Sequence, residues 1–262
     1  MIFQYKNLPI HYTLQGKGEK TLLFVHGAFI NKEYWAEQVK YFSNDYQIVT
    51  LDLPGHGASG KDRSYWTMEV FGEDVCALIK ELQLKNVILI GHSMGGDVIL
   101  EAASRCPEGV IGFIGVDNFK NAASPMPDKI QTQIDMLTFL LKINFANTCE
   151  TFARKALLTK ETGTALADRV VKDFRSMEKE SGIEIITGSF NYWERQRELM
   201  QKLSLKMFLI NVDYIPTDEE LLKKYAASGY EVFPVQGTCH YPMIEDAAQF
   251  NKVLESVLEK IG

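Results

Sequence analysis

The stretch "NVILIGHSMGGDVILEAAS", residues 86–104, decides the fold of this chain. It begins with an apolar run typical of a buried strand and continues as "MGGDVILEAASRC", residues 94–106, which has the apolar spacing of a helix. Ser93 lies between the two in a G-x-S-x-G motif. A strand that turns at once into a helix strains the backbone of the serine, and the glycines around it relieve the crowding. The pattern predicts a nucleophile that projects above the sheet; the alternative is a structural serine in a glycine-rich turn.

Short apolar runs alternate with helical patterns on both sides of this stretch. Strands that are apolar throughout and separated by helices indicate a parallel sheet covered on both faces. The predicted fold class is therefore α/β, with a mostly parallel central sheet and helices on both faces. The further strand-like runs are "KTLLFVHG" (20–27), "YQIVTLDLPG" (46–55), "GVIGFIGVD" (109–117), "LKMFLINVD" (205–213) and "YEVFPV" (230–235).

Residues 119–203 show helical patterns and no convincing strand. Apolar side chains recur there at helical spacing, as at Ile130 and Ile134. We expect one α/β core, residues 1–118 and 204–262, interrupted by a helical cap at residues 119–203. An insertion at this point lies over the carboxyl ends of the strands, where open α/β sheets bind ligands.

The predicted cap is rich in large apolar side chains that are candidates for a substrate pocket. Such side chains line most small-molecule sites, although packing of the cap onto the core would use the same residues. We expect direct substrate contact from Phe29, His92, Phe139 and Trp193. The full set of candidates within the cap is Met126, Met136, Phe139, Phe145, Phe152, Phe174, Met177, Phe190, Tyr192, Trp193 and Met200.

The composition is that of an ordinary globular enzyme. The chain has 262 residues, 46% of them hydrophobic and 24% charged, with a net charge of −6. An acidic balance opposes nucleic acid or an anionic membrane as the main partner. No apolar run approaches the roughly 20 residues that a membrane span needs, and the N-terminus lacks the pattern of a signal peptide. A cytoplasmic location is expected, and the sequence leaves the oligomeric state open.

The four cysteines give no sign of a metal centre. Cys76, Cys106, Cys149 and Cys239 are scattered, and none forms a C-x-x-C pair. This spacing argues against a zinc site and against a disulfide framework. We expect no metal and no cofactor.

His240 is the predicted general base. A base that accepts and returns a proton near neutral pH is most often an imidazole. His240 falls in "PVQGTCHYPMIED", residues 234–246, in the loop after the last predicted strand. That loop can reach the serine loop, because the carboxyl ends of parallel strands converge at one edge. The other four histidines are expected to be structural or on the surface: His11, His26, His56 and His92. Of these, His92 is the alternative base.

The acid that orients the base has two candidates. A carboxylate in this role holds the imidazole tautomer and stabilises the imidazolium. Asp213 directly follows the run "MFLINV" and is the first choice, since the expected chain order is serine, acid, histidine. Asp117 occupies the same relative place after the preceding strand and is the competitor. Asp218 stands at a helix start, where capping is its expected role.

Two backbone N–H groups are expected to stabilise an oxyanion. The N–H of Met94 comes with the turn at Ser93. The second donor should come from the loop after "LLFVHG", where Gly27 lets the chain bend back. Ala28 is the preferred donor and Phe29 the alternative.

These motifs together resemble the α/β-hydrolase-fold superfamily, in its serine hydrolase, esterase-like branch. "HGAF" (26–29), "DLPGHGAS" (52–59), "GHSMGG" (91–96) and "GTCHYPMIED" (237–246) occur in the family's order, and the resemblance covers nearly the whole chain. It implies Ser93 as nucleophile, His240 as base, and Met94 with Ala28 as oxyanion donors. The acid stays open, because "NVDYIPT" (211–217) is shorter than the family's usual loop at this place.

The expected reaction is hydrolysis of an ester through an acyl-enzyme. A serine, histidine and carboxylate constellation attacks a carbonyl, and water activated by the histidine then releases the acid. Small to medium apolar carboxylic esters are the expected substrates. The same triad also serves thioesters, lactones, C–C bonds beside ketones and peracid formation. In another class, the resemblance includes small-molecule receptors that turn over slowly and signal through a partner protein.

Overall fold

Eight strands form one sheet in the computed structural model, which describes residues 1–125 and 127–261. The order across the sheet is β1-β2-β4-β3-β5-β6-β7-β8. The two pairings β1–β2 and β2–β4 are antiparallel, and all other pairings are parallel. The predicted α/β class with a mostly parallel sheet is confirmed. The strands are β1 (Ile2–Tyr5), β2 (Leu8–Gln15), β3 (Thr21–Val25), β4 (Gln47–Leu51), β5 (Val87–His92), β6 (Val110–Val116), β7 (Met207–Val212) and β8 (Tyr230–Val235).

The central strands are buried along their whole length. Every residue of β3, β5 and β7 is buried. A parallel strand with helices on both faces needs apolar side chains on both sides, and this explains the unbroken apolar runs in the sequence. Both faces of the sheet are therefore covered, and a site can form only at the carboxyl ends of the strands.

Eleven helices are described, and none within residues 1–125 and 127–261 is long and apolar enough to cross a membrane. A 3₁₀ turn (Lys32–Trp35) precedes the first helix, and a π-helical turn (Ala153–Leu157) follows the fifth. The helices are α1 (Ala36–Phe42), α2 (Met68–Glu81), α3 (Met94–Arg105), α4 (Asp128–Ile143), α5 (Phe145–Phe152), α6 (Thr164–Ser176), α7 (Lys179–Phe190), α8 (Trp193–Lys202), α9 (Glu219–Tyr225), α10 (Pro242–Glu245) and α11 (Ala247–Lys260).

Helices α4 to α8 lie between β6 and β7 and form the helical insertion. Its last helix packs on α3 through polar contacts. Glu101 of α3 accepts hydrogen bonds from the Tyr192 hydroxyl and from Nε of Arg195, each at 2.8 Å. Nε2 of Gln196 donates to Asp97 at 2.5 Å. The insertion is therefore fastened to the helix that begins beside Ser93.

The expectation that the cysteines form no disulfide framework is wrong for one pair. Cys76 of α2 and Cys106, which follows α3, form a disulfide bond with a sequence separation of 30. The helices α2 and α3 pack side by side, so residues far apart in sequence become neighbours. Spacing along the chain carries no information about such a contact. Cys149 and Cys239 are free and buried.

Candidate active site

Ser93 occupies a strained turn between β5 and α3. Its φ and ψ are 53° and −127°, a backbone conformation that residues other than glycine rarely adopt. The turn is held by two bonds: the Ser93 N–H donates to the carbonyl of Val116 at 2.9 Å, and Nδ2 of Asn118 donates to the Ser93 carbonyl at 2.5 Å. A Cβ at Gly95 would lie 2.5 Å from the carbonyl oxygen of Val25, so only glycine lets α3 begin this close to β3.

His240 is paired with Asp117. Nδ1 of His240 lies 2.5 Å from Oδ2 of Asp117, and that carboxylate is buried. Its other oxygen accepts the N–H of Val212 at 2.9 Å and lies 2.7 Å from Nζ of Lys120. Burial opposes ionisation of this carboxyl, but His240 and Lys120 outweigh burial and lower the pKa of Asp117 to about 2. The carboxylate is therefore charged at neutral pH and can accept a hydrogen bond from the N–H of the imidazole.

The structure replaces Asp213 by Asp117 as the partner of His240. Asp213 is exposed, and within the described residues nothing pairs with its carboxylate. Asp117 has a φ of 46° and donates its N–H to the carbonyl of Ile210 at 2.9 Å, so the chain bends sharply where β6 ends. Because β6 neighbours the strand that leads to Ser93, this bend brings the carboxylate to the serine side of the sheet.

His92 is hydrogen-bonded to the loop that carries His240. Nε2 of His92 donates to the carbonyl of His240 at 2.7 Å, because a carbonyl can only accept. Its Nδ1 is buried and has no partner among the described residues. Burial, together with the nearby His240, lowers the pKa of His92 to about 3. The ring lines the same cavity as Ser93, and its Nε2 is bound to the loop that carries His240.

The loop after β3 brings Ala28 beside Ser93. Ala28 lines the same cavity, and a Cβ at Gly27 would lie 3.0 Å from Cβ of Ser93, which shows how closely the two loops approach. No acceptor among the described residues takes the backbone N–H of Ala28 or of Met94. Phe29 has a φ of 63° and is not among the residues that line the cavity. The structure therefore does not place it where the sequence predicted.

The ring of Phe29 instead contacts the helical insertion. It is 4% exposed and lies 5.1 Å from the ring of Phe174 and 6.1 Å from that of Phe145. Aromatic pairs at such distances contribute to packing beyond the area they bury. Phe29 therefore joins the loop after β3 to the insertion.

His26 and His56 stabilise the loops around the site. Nε2 of His26 accepts the N–H of Leu53 at 3.0 Å, and Nδ1 donates to the carbonyl of Gly27 at 2.7 Å. Burial lowers the pKa of His26, and burial with the neighbouring His26 lowers that of His56 to about 3. Neither histidine is among the residues that line the cavity with Ser93, so neither is placed to act as its base.

The catalytic cavity has a volume of about 410 Å³ and mixed walls. Phe139 and Trp193 do not line it: Phe139 is 58% exposed on α4, and the ring of Trp193 lies 5.0 Å from the guanidinium of Arg197. These two expectations are wrong, because apolar character alone does not give the side of a helix. Met126 lies outside the described residues. The polar lining includes Asp97, Asn118, Lys120 and Asn121, and the apolar lining includes Phe119, Phe152, Leu157, Phe174, Ile186 and Phe190.

Asp97 is a buried acid in this cavity that the sequence reasoning missed. It is 7% exposed, and burial raises its pKa to about 7 although Gln196 and Asn118 donate hydrogen bonds to it. Nearby Glu101 acts in the same direction as burial. Its place four residues after Ser93 on α3 is a signal that could have found it, since residues at that spacing share a helix face.

Lys120 was also missed by the sequence reasoning. Its Nζ contacts Asp117, donates to the carbonyl of Val212 at 2.9 Å and lies 4.8 Å from the ring centre of Tyr214. Among the described residues, no group of three or more histidine, cysteine or acidic side chains is arranged to hold a metal ion.

Comparison with known proteins places this fold and site in one family. A family model described as the alpha/beta hydrolase fold matches residues 20–224, and the chain belongs to that family. A Haemophilus influenzae protein provisionally assigned as an esterase/lipase is 26% identical over 261 residues, which cover 97% of this chain and 88% of that protein. The relatives are thus esterase/lipase-like hydrolases.

Two solved structures share the fold. An esterase from Exiguobacterium antarcticum superposes with a TM-score of 0.85 at 17% identity, covering 98% of each chain. An enol-lactonase from Burkholderia xenovorans superposes with a TM-score of 0.83 at 17% identity, covering 99% of this chain and 100% of that chain. At these identities the likeness concerns the fold alone.

Proposed function

We propose that this protein is a serine hydrolase that cleaves small to medium apolar carboxylic esters through an acyl-enzyme. The observation that carries the proposal is the 2.5 Å contact between His240 and the buried Asp117, in the cavity that Ser93 lines from a strained turn. A strained serine, an oriented imidazole and a charged buried acid are the parts that nucleophilic catalysis on a carbonyl needs.

In the proposed mechanism, Oγ of Ser93 attacks the ester carbonyl while Nε2 of His240 takes its proton. The backbone N–H groups of Met94 and Ala28 stabilise the oxyanion, a contribution that is typically about 2.7–4 kcal/mol for one donor. His240 then gives the proton to the leaving alcohol. A water molecule, deprotonated by the same nitrogen, attacks the acyl-enzyme and releases the acid. Asp117 keeps the Nδ1 proton in place throughout.

The helical insertion acts as the cap of this site. Phe152, Phe174 and Phe190 belong to the insertion and form apolar walls of the cavity. Apolar walls favour the hydrocarbon parts of an ester, whereas the few polar groups fix its orientation. This division supports apolar esters as the substrate class.

Labelling with a fluorophosphonate probe tests the nucleophile. We expect one covalent adduct on Ser93, detected by mass spectrometry of peptides, together with hydrolysis of chromogenic acetate and butyrate esters. The Ser93→Ala variant should lose both. Ser189→Ala is the matched control, because Ser189 lines the same cavity while its hydroxyl donates to the carbonyl of Ile186 at 2.9 Å.

The proposal fails if Ser93→Ala is labelled as strongly as the wild-type protein. It also fails if a folded wild-type protein is neither labelled nor active on any ester of the panel. Circular dichroism of each variant establishes that it is folded.

A further inference from the structure

The helical insertion carries a second concave site, which we call the outer groove. It runs between α4 and α5, and its apolar walls include Ile134, Leu137 and Leu140 of α4. Its volume is about 870 Å³, twice that of the catalytic cavity. The proposed mechanism uses none of it. An open apolar groove of this size on a protein surface calls for an occupant.

The outer groove and the catalytic cavity share a wall. Phe152, Ala156 and Phe190 line both spaces. The rings of Phe152 and Phe190 meet edge to face, with centroids 6.3 Å apart, and both side chains are half-buried. The residues that line both spaces belong to α5, α7 and the π-helical turn, so the wall contains no strand.

The same wall contains the π-helical turn Ala153–Leu157. Such turns interrupt the regular helix and are frequent at functional sites. The carbonyl of Leu157 accepts the N–H of His240 at 2.9 Å. The turn therefore contacts the base loop on one side and the outer groove on the other.

We propose that the outer groove binds the distal part of a long straight alkyl chain whose ester group is held at Ser93. The inference rests on the proposed function and extends its substrates from small and medium esters to long-chain aliphatic esters. Continuity through Phe152 and Phe190 favours the substrate's own chain as the occupant. A flexible hydrocarbon chain enters when the ring of Phe152 or Phe190 rotates aside, whereas a folded partner would reach only the outer side.

Ester hydrolysis at increasing chain length tests this proposal. One series varies the acyl chain of nitrophenyl esters from butyrate to laurate, and a second varies the alcohol chain of alkyl acetates, all below the micellar concentration. We expect kcat/KM to keep rising with length in at least one series. Each methylene that gains apolar contact adds up to about fourfold.

The Thr151→Trp variant fills the outer groove without touching the catalytic cavity. Thr151 is exposed, lines the groove and bonds only to the carbonyl of Asn147 in its own helix. We expect it to lose about fourfold in kcat/KM for each methylene displaced and to hydrolyse butyrate like the wild-type protein. Thr164→Trp is the matched control at an exposed helix position that lines neither space, and it should keep the wild-type profile.

Phe190→Ala tests the wall from the opposite direction. Removing the ring should open the wall between the catalytic cavity and the outer groove and raise kcat/KM for laurate relative to butyrate. A flat profile in both series for the wild-type protein overturns the proposal, and so does a Thr151→Trp variant with full preference for long chains.

A binding measurement separates failure of this inference from failure of the proposed function. A fluorescent long-chain fatty acid should bind to the Ser93→Ala variant, and Thr151→Trp added to that variant should weaken the binding, whether or not esters are cleaved. If sedimentation shows that Thr151→Trp dissociates a dimer while the chain-length profile is unchanged, the groove holds a second copy and the proposal is wrong.

Discussion

The Asp117 carboxylate faces two basic side chains at once, His240 and Lys120. It lies at 2.5 Å from the imidazole and 2.7 Å from the ammonium, and both interactions favour its charged form. In the proposed mechanism, the ammonium of Lys120 shares the negative charge that would otherwise stabilise an imidazolium alone. The two contacts fix the position of the Asp117 carboxylate, which in that mechanism orients the His240 ring.

Replacing this acid gives a direct comparison of the two candidates. We expect Asp117→Asn to lower kcat by roughly 10³–10⁴, the scale seen when a triad acid is replaced by its amide, because the wrong imidazole tautomer then faces the serine. Asp213→Asn is the matched control: its side chain is exposed, so its kcat should stay near that of the wild-type protein. Chromogenic ester kinetics measure both, and equal losses would contradict the assignment.

The sequence predicted Ser93 and His240 as candidates because each stands in a recognisable local pattern. The choice between Asp117 and Asp213 is different in kind. Both directly follow an apolar strand, and only the path of the chain afterwards distinguishes them. The left-handed backbone at Asp117 decides that path, and nothing in the residues around it signals such a conformation.

Among the elements, α2 and α3 are joined covalently by the bond between Cys76 and Cys106. The joined pair forms one face of the core beside the sheet, and α3 begins at Met94, next to Ser93. A bond that closes a loop of this length restricts the unfolded chain more than the folded one. The position of α3 under the site therefore depends in part on a bond that reductants can break.

Removal of this bond should lower stability without removing the site. For the double variant Cys76→Ser, Cys106→Ser we expect a loss of about 3–4 kcal/mol in the free energy of unfolding, from the entropy of a 30-residue loop. Denaturant titration measures it. Reductant should reproduce the loss in the wild-type protein and have no effect on the variant. Four free thiols in the unreduced, denatured wild-type protein would contradict the bond.

The order of the elements was predictable, whereas their contacts were not. Local apolar patterns distinguish strands from helices, so the α/β class and the helical stretch between β6 and β7 could be predicted. Which side of α4 faces inward could not be predicted: Phe139 is exposed, although its apolar character suggested a place in the substrate pocket. The helices around α4 decide that orientation, and they are set by tertiary packing.

For the molecule as a whole, two buried acids give opposite dependences of stability on pH. The pKa of Asp117 is lowered to about 2, so its stabilising contribution is present above the ordinary value of 3.8 and is lost as the pH falls toward 2. The pKa of Asp97 is raised to about 7. The folded state then holds a proton that the unfolded state has released, and stability falls as the pH rises from 3.8 to 7.

We therefore expect the stability of Asp97→Asn relative to the wild-type protein to be greater above pH 7 than near pH 4. The gain should be roughly 1–4 kcal/mol, since each step of one in pKa corresponds to about 1.4 kcal/mol. Urea titrations across this pH range measure the difference between the two proteins. The exposed Asp213→Asn serves as control, and a difference that is constant over the range would show that Asp97 is ionised in the folded state.

The peptide unit of His240 is bound on both sides. Its N–H donates to Leu157 in the helical insertion, and its carbonyl accepts from His92, the residue before Ser93. His240, the proposed base, is therefore held between the helical insertion and the strand end that carries Ser93. A movement of the insertion that broke the bond to Leu157 would remove one of these two backbone bonds. In the proposed mechanism, proton transfer then depends on the insertion staying in place over the site.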